Sequence, residues 1–234
     1  MKAVRSQKQK TIFIDLDDTL IDTFDLLITP LEWAAARAIC QIEGCPFQAE
    51  QLAEILLELR KRSPADLEDK VRDLLKADAN RALAERERIF SDFSVDDITI
   101  SPKVIATLKL LMQDYLLVLV TEGQPKIQKR KVRRLGIGNL FEDILVVDRA
   151  GDISKEAAIA NFIASRKRFP KQSIIVGNRL DRDIIAGNRL GIPTIWLRAG
   201  EGSEMERDCV QATPDVVIDD ISELPAAIQA LAGP

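Results

Sequence analysis

The sequence predicts an α/β fold: a parallel sheet core with helices on both faces and a helical module inserted after the first strand. Three observations predict it. Short apolar runs recur along the 234 residues and end in polar or glycine residues. Segments with apolar residues at i, i+3, i+4 separate most of these runs, the alternation expected of a parallel sheet with right-handed crossovers. One stretch, about 23–97, carries helical spacing with no good strand.

The first strand is expected at Lys10–Leu16, where apolar, β-branched and aromatic residues run into carboxylates. Helical spacing follows in Leu31–Ile42, Ala49–Arg62, Pro64–Ala77 and Arg81–Phe90. Asp96, Asp97 and the pair Ser101-Pro102 mark the exit of the insert, with Ser101 as N-cap and Pro102 at the first helical position. Further strands are expected at Tyr115–Thr121, Asp143–Val147, Ser173–Gly177, Thr194–Leu197 and Val216–Asp219. The helices between and after them are expected at Pro102–Gln113, Pro125–Leu135, Lys155–Arg168, Asp181–Leu190 and Ser222–Leu231. The core is therefore 1–22 with 98–234, and the helical cap is 23–97. The tail Ala232-Gly233-Pro234 is expected to fray.

Composition excludes several classes of function. The chain has no histidine, which removes Ser-His-Asp and Cys-His catalysis and His-ligated zinc. Acid/base work near neutral pH falls to carboxylates and lysines, since the single tyrosine, Tyr115, sits at a strand start. The net charge of −4 provides no global basic field for nucleic acid. No apolar run is long enough to span a bilayer. Met1–Lys10 is basic but lacks the apolar stretch of a secretory signal. Cys40, Cys45 and Cys209 are odd in number and lack metal spacing, as expected in a reducing, cytoplasmic setting.

Four strand ends carry chemistry. In Thr11-Ile12-Phe13-Ile14-Asp15-Leu16-Asp17-Asp18-Thr19, a buried strand ends in Asp15 and Asp17. The C-terminal edge of an open α/β sheet is where ligands bind. Two carboxylates kept ionised there call for a cation; a shared proton makes an acid/base pair. This suggests Mg²⁺ and phosphate chemistry, one Asp as nucleophile and the other as acid/base. An EF-hand fits poorly, because Leu20 stands where glycine is needed and Leu26 where glutamate is needed. The second strand ends in Thr121-Glu122-Gly123, where the Thr121 hydroxyl and following N–H groups suit phosphate oxygens. Lys155 opens a helix, an electrostatically odd place for a cation unless it neutralises Asp15 and phosphate. The fourth, Val176-Gly177-Asn178-Arg179-Leu180-Asp181-Arg182-Asp183, places two carboxylates after an apolar strand and can complete a Mg²⁺ site.

Taken in this order, these strand ends resemble the haloacid dehalogenase-like hydrolase superfamily, with its Rossmann-like core and a helical cap after the first strand. Arg134-Leu135-Gly136-Ile137 before Phe141, and Asp181 through Gly191, are close to the family's usual form. The resemblance implies a Mg²⁺-dependent phosphohydrolase for a small phosphorylated metabolite, acting through an aspartyl-phosphate intermediate. It makes Asp15 the nucleophile and Asp17 the acid/base. It also makes Thr121 the phosphate-binding hydroxyl and Lys155 the motif lysine. The metal would be held by Asp15, the backbone carbonyl of Asp17, Asn178 and Asp183, with Asp181 a lesser candidate.

Three positions depart from the family pattern. Asn178 stands where a metal-ligating Asp is usual, Glu122 where Asn or Asp is frequent, and Glu156 where Pro often follows the lysine. Asn178 matters most, because Mg²⁺ prefers anionic oxygen. It keeps open a catalytically weakened scaffold that binds a ligand or partner, while Asp17 argues against the superfamily's 2-haloacid dehalogenase branch. The basic run Lys126, Lys129, Arg130, Lys131, Arg133 and Arg134 reads as a solvated helix face with Ile127, Val132 and Leu135 inward; Lys131 is a lesser candidate for the motif lysine. Arg60-Lys61-Arg62 in the insert can meet a substrate anion or water. No nucleic-acid or membrane partner is expected. Substrate identity and oligomeric state are not legible.

Overall fold

A computed structural model describes residues 10–91, 94–95, 98–205 and 211–231, without the side chain of Ala77. Cys209, the pair Asp96-Asp97 and the C-terminal tail lie outside the described residues. Six strands form one sheet: β1 (Thr11–Ile14), β2 (Leu116–Glu122), β3 (Asp143–Val147), β4 (Ser173–Gly177), β5 (Thr194–Leu197) and β6 (Val216–Ile218). All neighbours pair in parallel, in the order β3-β2-β1-β4-β5-β6. β1 pairs with β2 on one side and β4 on the other, so the order reverses beside it. In such a sheet the crevice outside the strand ends at the reversal is the natural ligand site.

The strands read as continuous apolar runs because both faces are covered. Ile12 and Ile14 of β1 face one way with Leu117 and Leu119 of β2 and Ile174 and Val176 of β4. Phe13, Val118, Val120 and Ile175 face the other. The first face packs on α5 (Pro102–Leu111), α6 (Pro125–Leu135) and α9 (Leu224–Leu231). The second packs on α7 (Lys155–Ser165), where the Phe13 and Phe162 rings meet edge to face at 5.5 Å. Ser101 caps α5 as expected, accepting from Val104 N at 3.3 Å.

Between β1 and α5 the described residues contain no strand. They form α1 (Thr29–Ile39), preceded by a π-turn at Phe24–Ile28, then α2 (Ala49–Arg62), α3 (Leu67–Leu75) and α4 (Ala79–Ser91). Their inward stripes make a separate apolar cluster around Ile39, Leu52, Leu56 and Val71. The expected Pro64–Ala77 helix is broken at both ends into 3₁₀ turns, Pro64–Asp66 and Lys76–Asp78. The expected Asp181–Leu190 helix opens as a π-turn, Leu180–Ile184, before α8 (Ile185–Leu190).

Candidate active site

β1 stops at Ile14, two residues short of the expected strand end, because the chain turns sharply around its acidic residues. Asp18 takes a left-handed φ of 56°, which Asp tolerates better than most residues. Its carboxylate locks the turn by accepting Phe24 N at 2.6 Å and Glu201 N at 3.0 Å. Burial pushes the Asp18 carboxyl up to about 7 against these two N–H bonds.

Asp15 is buried at the tip of β1, and Lys155 Nζ reaches its Oδ1 at 2.7 Å. The same ammonium reaches Asp183 Oδ1 at 2.6 Å. Thus the odd cation at the start of α7 joins the ends of β1 and β4. Burial opposes its charge, but Asp15 and Asp183 outweigh that and hold the lysine protonated. Burial pushes Asp15 up to about 7, with Lys155 pulling down and Asp183 pushing further up. Asp183 can come this close because residue 177 is glycine: a Cβ there would lie 2.2 Å from Asp183 Cγ.

Asp17 is held by a different set. Lys131 Nζ donates to Oδ1 at 2.5 Å, Thr23 Oγ1 to the same oxygen at 2.7 Å, and Gln128 Nε2 to Oδ2 at 2.8 Å. Burial would raise this carboxyl, but Lys131, Thr23 and Gln128 bring it below the usual range. This corrects the solvated-face reading of α6 at one position. Lys131 and Gln128 are buried beside Val132, whereas Lys126, Lys129, Arg130, Arg133 and Arg134 are exposed as expected. The i, i+3 spacing of Gln128 and Lys131 was the available signal; the run of cations around it hid the inward one. Gly123 serves the same contact, with a φ of 152° and no Cβ to strike Gln128 Nε2. Its N–H is taken by Val147 O at 2.9 Å, so it is not one of the free donors expected after Thr121.

The Thr121 hydroxyl is fully buried at the end of β2 and has no hydrogen-bond partner among the described residues. An orphaned buried hydroxyl at the ligand edge suits an incoming phosphate oxygen. Glu122 lines the same cavity as Asp15 and is ion-paired there with Arg149 and Arg182, each at 3.3 Å. Asn178 is buried after β4, and its Nδ2 donates to Ala199 O at 3.2 Å and Glu201 O at 2.9 Å. Any role toward a cation therefore falls to Oδ1. Asp181 is bound twice by Arg179, at 2.8 Å through both Nε and Nη2, which engages both oxygens of that lesser ligand candidate.

Asp15, Asp17, Lys155 and Asn178 line one cavity of about 400 Å³ with Arg60 and Phe90 of the insert. Among the described residues, no three Cys, Asp or Glu side chains gather closely enough to cage a metal. Asp15 and Asp183 converge on Lys155 Nζ, and Asp183 Oδ2 also accepts Arg179 N at 3.0 Å. The candidate ligands are nonetheless all oxygen. That suits Mg²⁺, which takes one or two carboxylates and keeps several waters or phosphate oxygens.

A family model described as haloacid dehalogenase-like hydrolase matches residues 12–197. The chain belongs to the haloacid dehalogenase-like hydrolases. It is 28% identical over 232 residues to a glyceraldehyde 3-phosphate phosphatase of Pyrococcus furiosus, covering 95% of this chain and 92% of that one. Among solved structures, a haloacid dehalogenase-like family hydrolase of Streptococcus pneumoniae superposes with a TM-score of 0.67 at 20% identity, covering 96% of this chain and all of the other. A haloacid dehalogenase-like hydrolase of Bacillus subtilis, bound to magnesium, superposes at 0.59 with 20% identity, covering 94% and 98%. At these identities the two structures speak for the fold. In this haloacid dehalogenase-like hydrolase no helix among the described residues is long and apolar enough to cross a membrane.

Proposed function

We propose that this enzyme is a Mg²⁺-dependent phosphohydrolase for a small phosphorylated metabolite, working through an aspartyl-phosphate intermediate, with residues 23–97 as its cap. The observation that carries the reading is Lys155, fixed between Asp15 and Asp183 at the sheet's reversal point. The glyceraldehyde 3-phosphate phosphatase likeness and the modest cavity support a small phosphate ester.

Phosphoryl transfer demands positioning and charge neutralisation more than covalent ingenuity. Lys155 occupies Asp15 Oδ1, which leaves Oδ2 to attack phosphorus. The bond from phosphorus to the leaving oxygen breaks, and Asp17 is the acid that protonates that oxygen. Asp17 then takes a proton from the water that cleaves the acyl phosphate, returning Asp15 and inorganic phosphate. Lys131, Thr23 and Gln128 orient Asp17 and favour its base form in the free site. The acid step therefore requires Asp17 to take up a proton from solvent as the negative phosphate binds beside it. Thr121 donates to a phosphate oxygen. Asp15, the Asp17 carbonyl, Asn178 Oδ1 and Asp183 are the groups that would hold Mg²⁺, which would neutralise the charge of the phosphate.

A panel of small phosphate esters, assayed with and without Mg²⁺, tests this. Turnover is expected only with the metal, and Asp15→Asn is expected to lower it at least about a thousandfold with an unchanged circular dichroism spectrum. A folded Asp15→Asn enzyme with wild-type turnover would refute the mechanism.

A further inference from the structure

The amide of Asn178 spends its nitrogen on the chain rather than on the cavity. Its two N–H donors take the carbonyls of Ala199 and Glu201, which also settles which side-chain atom is nitrogen. The backbone carbonyl of Asn178 accepts Trp196 Nε1 at 2.8 Å. The same short segment is gripped from the other side: Glu201 N donates to Asp18, and Gly200, with φ at 56°, lies so near that a Cβ would fall 2.2 Å from Asp18 Cγ. Residues 199–201 are thus pinned between the ends of β1 and β4.

What this pinned segment presents is the Glu201 carboxylate. One oxygen takes Arg179 Nη1 at 2.6 Å; the other takes Arg60 Nη1 of the insert. Arg60 is in turn held by Glu32, which also binds Arg86 at 2.5 Å. Backbone bonds follow the same seam. Gly202 N donates to Arg60 O at 3.1 Å and Glu204 N to Lys61 O at 3.2 Å. Those carbonyls belong to the last turn of α2, where intrahelical partners run out. Arg60 lines the same cavity as Asp15.

We infer that Asn178 and Glu201 are positioning residues that seat the helical insert over the cavity, with Glu201 as the docking point for Arg60. This explains the amide at a position where the family pattern has a carboxylate. An aspartate here would set an oxygen against two carbonyl oxygens about 3 Å away and could donate to neither. The part played by the seam in turnover rests on the proposed phosphatase reading; the seating itself does not.

Hydrogen–deuterium exchange on the full chain, for wild type, Asn178→Asp and Glu201→Gln, tests the seating. Amides of Gly202 and Glu204 are expected to exchange at least about tenfold faster in both variants. The double variant is expected to add little to either single change, because both act through one segment. With the best ester from the panel, KM is expected to rise more than kcat falls. Unchanged exchange in Glu201→Gln would overturn the docking role. Unchanged exchange in Asn178→Asp would overturn the positioning role of Asn178 and leave it only the role of its Oδ1 toward Mg²⁺. If wild type hydrolyses no ester, the functional reading fails while the exchange measurements still decide the seating.

Discussion

At the ends of β1 and β4, two ammonium groups, those of Lys131 and Lys155, bind Asp15, Asp17 and Asp183, while buried Asp18 binds only backbone N–H groups. Along the seam with the insert, Asp181, Glu201 and Glu32 alternate with Arg179, Arg60 and Arg86. In the first cluster negative charge is in surplus, and burial lifts Asp15 and Asp18 to about 7. In the second, Asp181 and Glu32 stay below the usual carboxylate range despite burial, because guanidinium groups bind them directly. A surplus of like charge leaves a cluster in need of a cation and able to exchange protons. An alternating chain satisfies itself, so its work is to hold surfaces together. On the proposed readings, the same residue types therefore serve chemistry in one place and docking in the other.

The largest stability effect is expected from breaking the alternating chain at its most buried carboxylate. Glu32 has no exposed surface and binds both Arg60 and Arg86. Glu32→Gln leaves two guanidinium groups facing one neutral amide, and removing one partner of a buried pair costs about 3 kcal/mol. Urea denaturation should record that loss. A change under about 1 kcal/mol would mean that the seam is not held by its charges.

A smaller effect, with the opposite dependence on protonation, is expected in the acidic cluster. Asp18→Asn removes one of two acceptors for backbone N–H groups, at a cost of about 1–2 kcal/mol. Because burial raises the folded Asp18 carboxyl from 3.8 to about 7, its contribution to stability is complete below about pH 4 and is lost as the pH rises through 7. The deficit of the variant should accordingly be larger at pH 5 than at pH 8 in thermal melts. An equal deficit at both would show that Asp18 is ionised throughout and that its cluster carries no surplus charge.

The strands were legible because both faces of the sheet are buried, which writes each strand as an apolar run; their order in the sheet was not. Asp143–Val147, Ser173–Gly177 and Thr194–Leu197 are found with the expected bounds. Helix ends were less legible: the π-turn at Leu180–Ile184 owes its shape to Asp183 packing on Gly177, a tertiary contact with no local signature. Lys155 was readable as a cation in the wrong place for a helix start. Lys131 was concealed among five exposed cations, and Arg179 and Glu201 lie 22 residues apart with nothing local to join them. Residues proposed to act on substrate cluster at strand ends and leave motifs. Residues that dock one element on another are brought together only by the fold.

The smallest expected effect isolates exposure. Lys103 and Asp220 form an ion pair on the surface, with the two side chains 54% and 42% exposed. Asp220 also caps the last helical segment: its carboxylate accepts Ser222 N at 2.8 Å, and Glu223 returns a carboxylate to Asp220 N at 2.8 Å. The two ends of one ion pair should then behave differently. Lys103→Ala removes only a solvated charge and is expected to change stability by less than about 0.5 kcal/mol. Asp220→Ala removes the cap as well and is expected to cost about 1 kcal/mol. Parallel urea titrations of the two variants measure the difference. If Lys103→Ala cost as much as Glu32→Gln, the charge of an ion pair would matter more than its burial, and the contrast between the solvated surface and the buried seam would collapse.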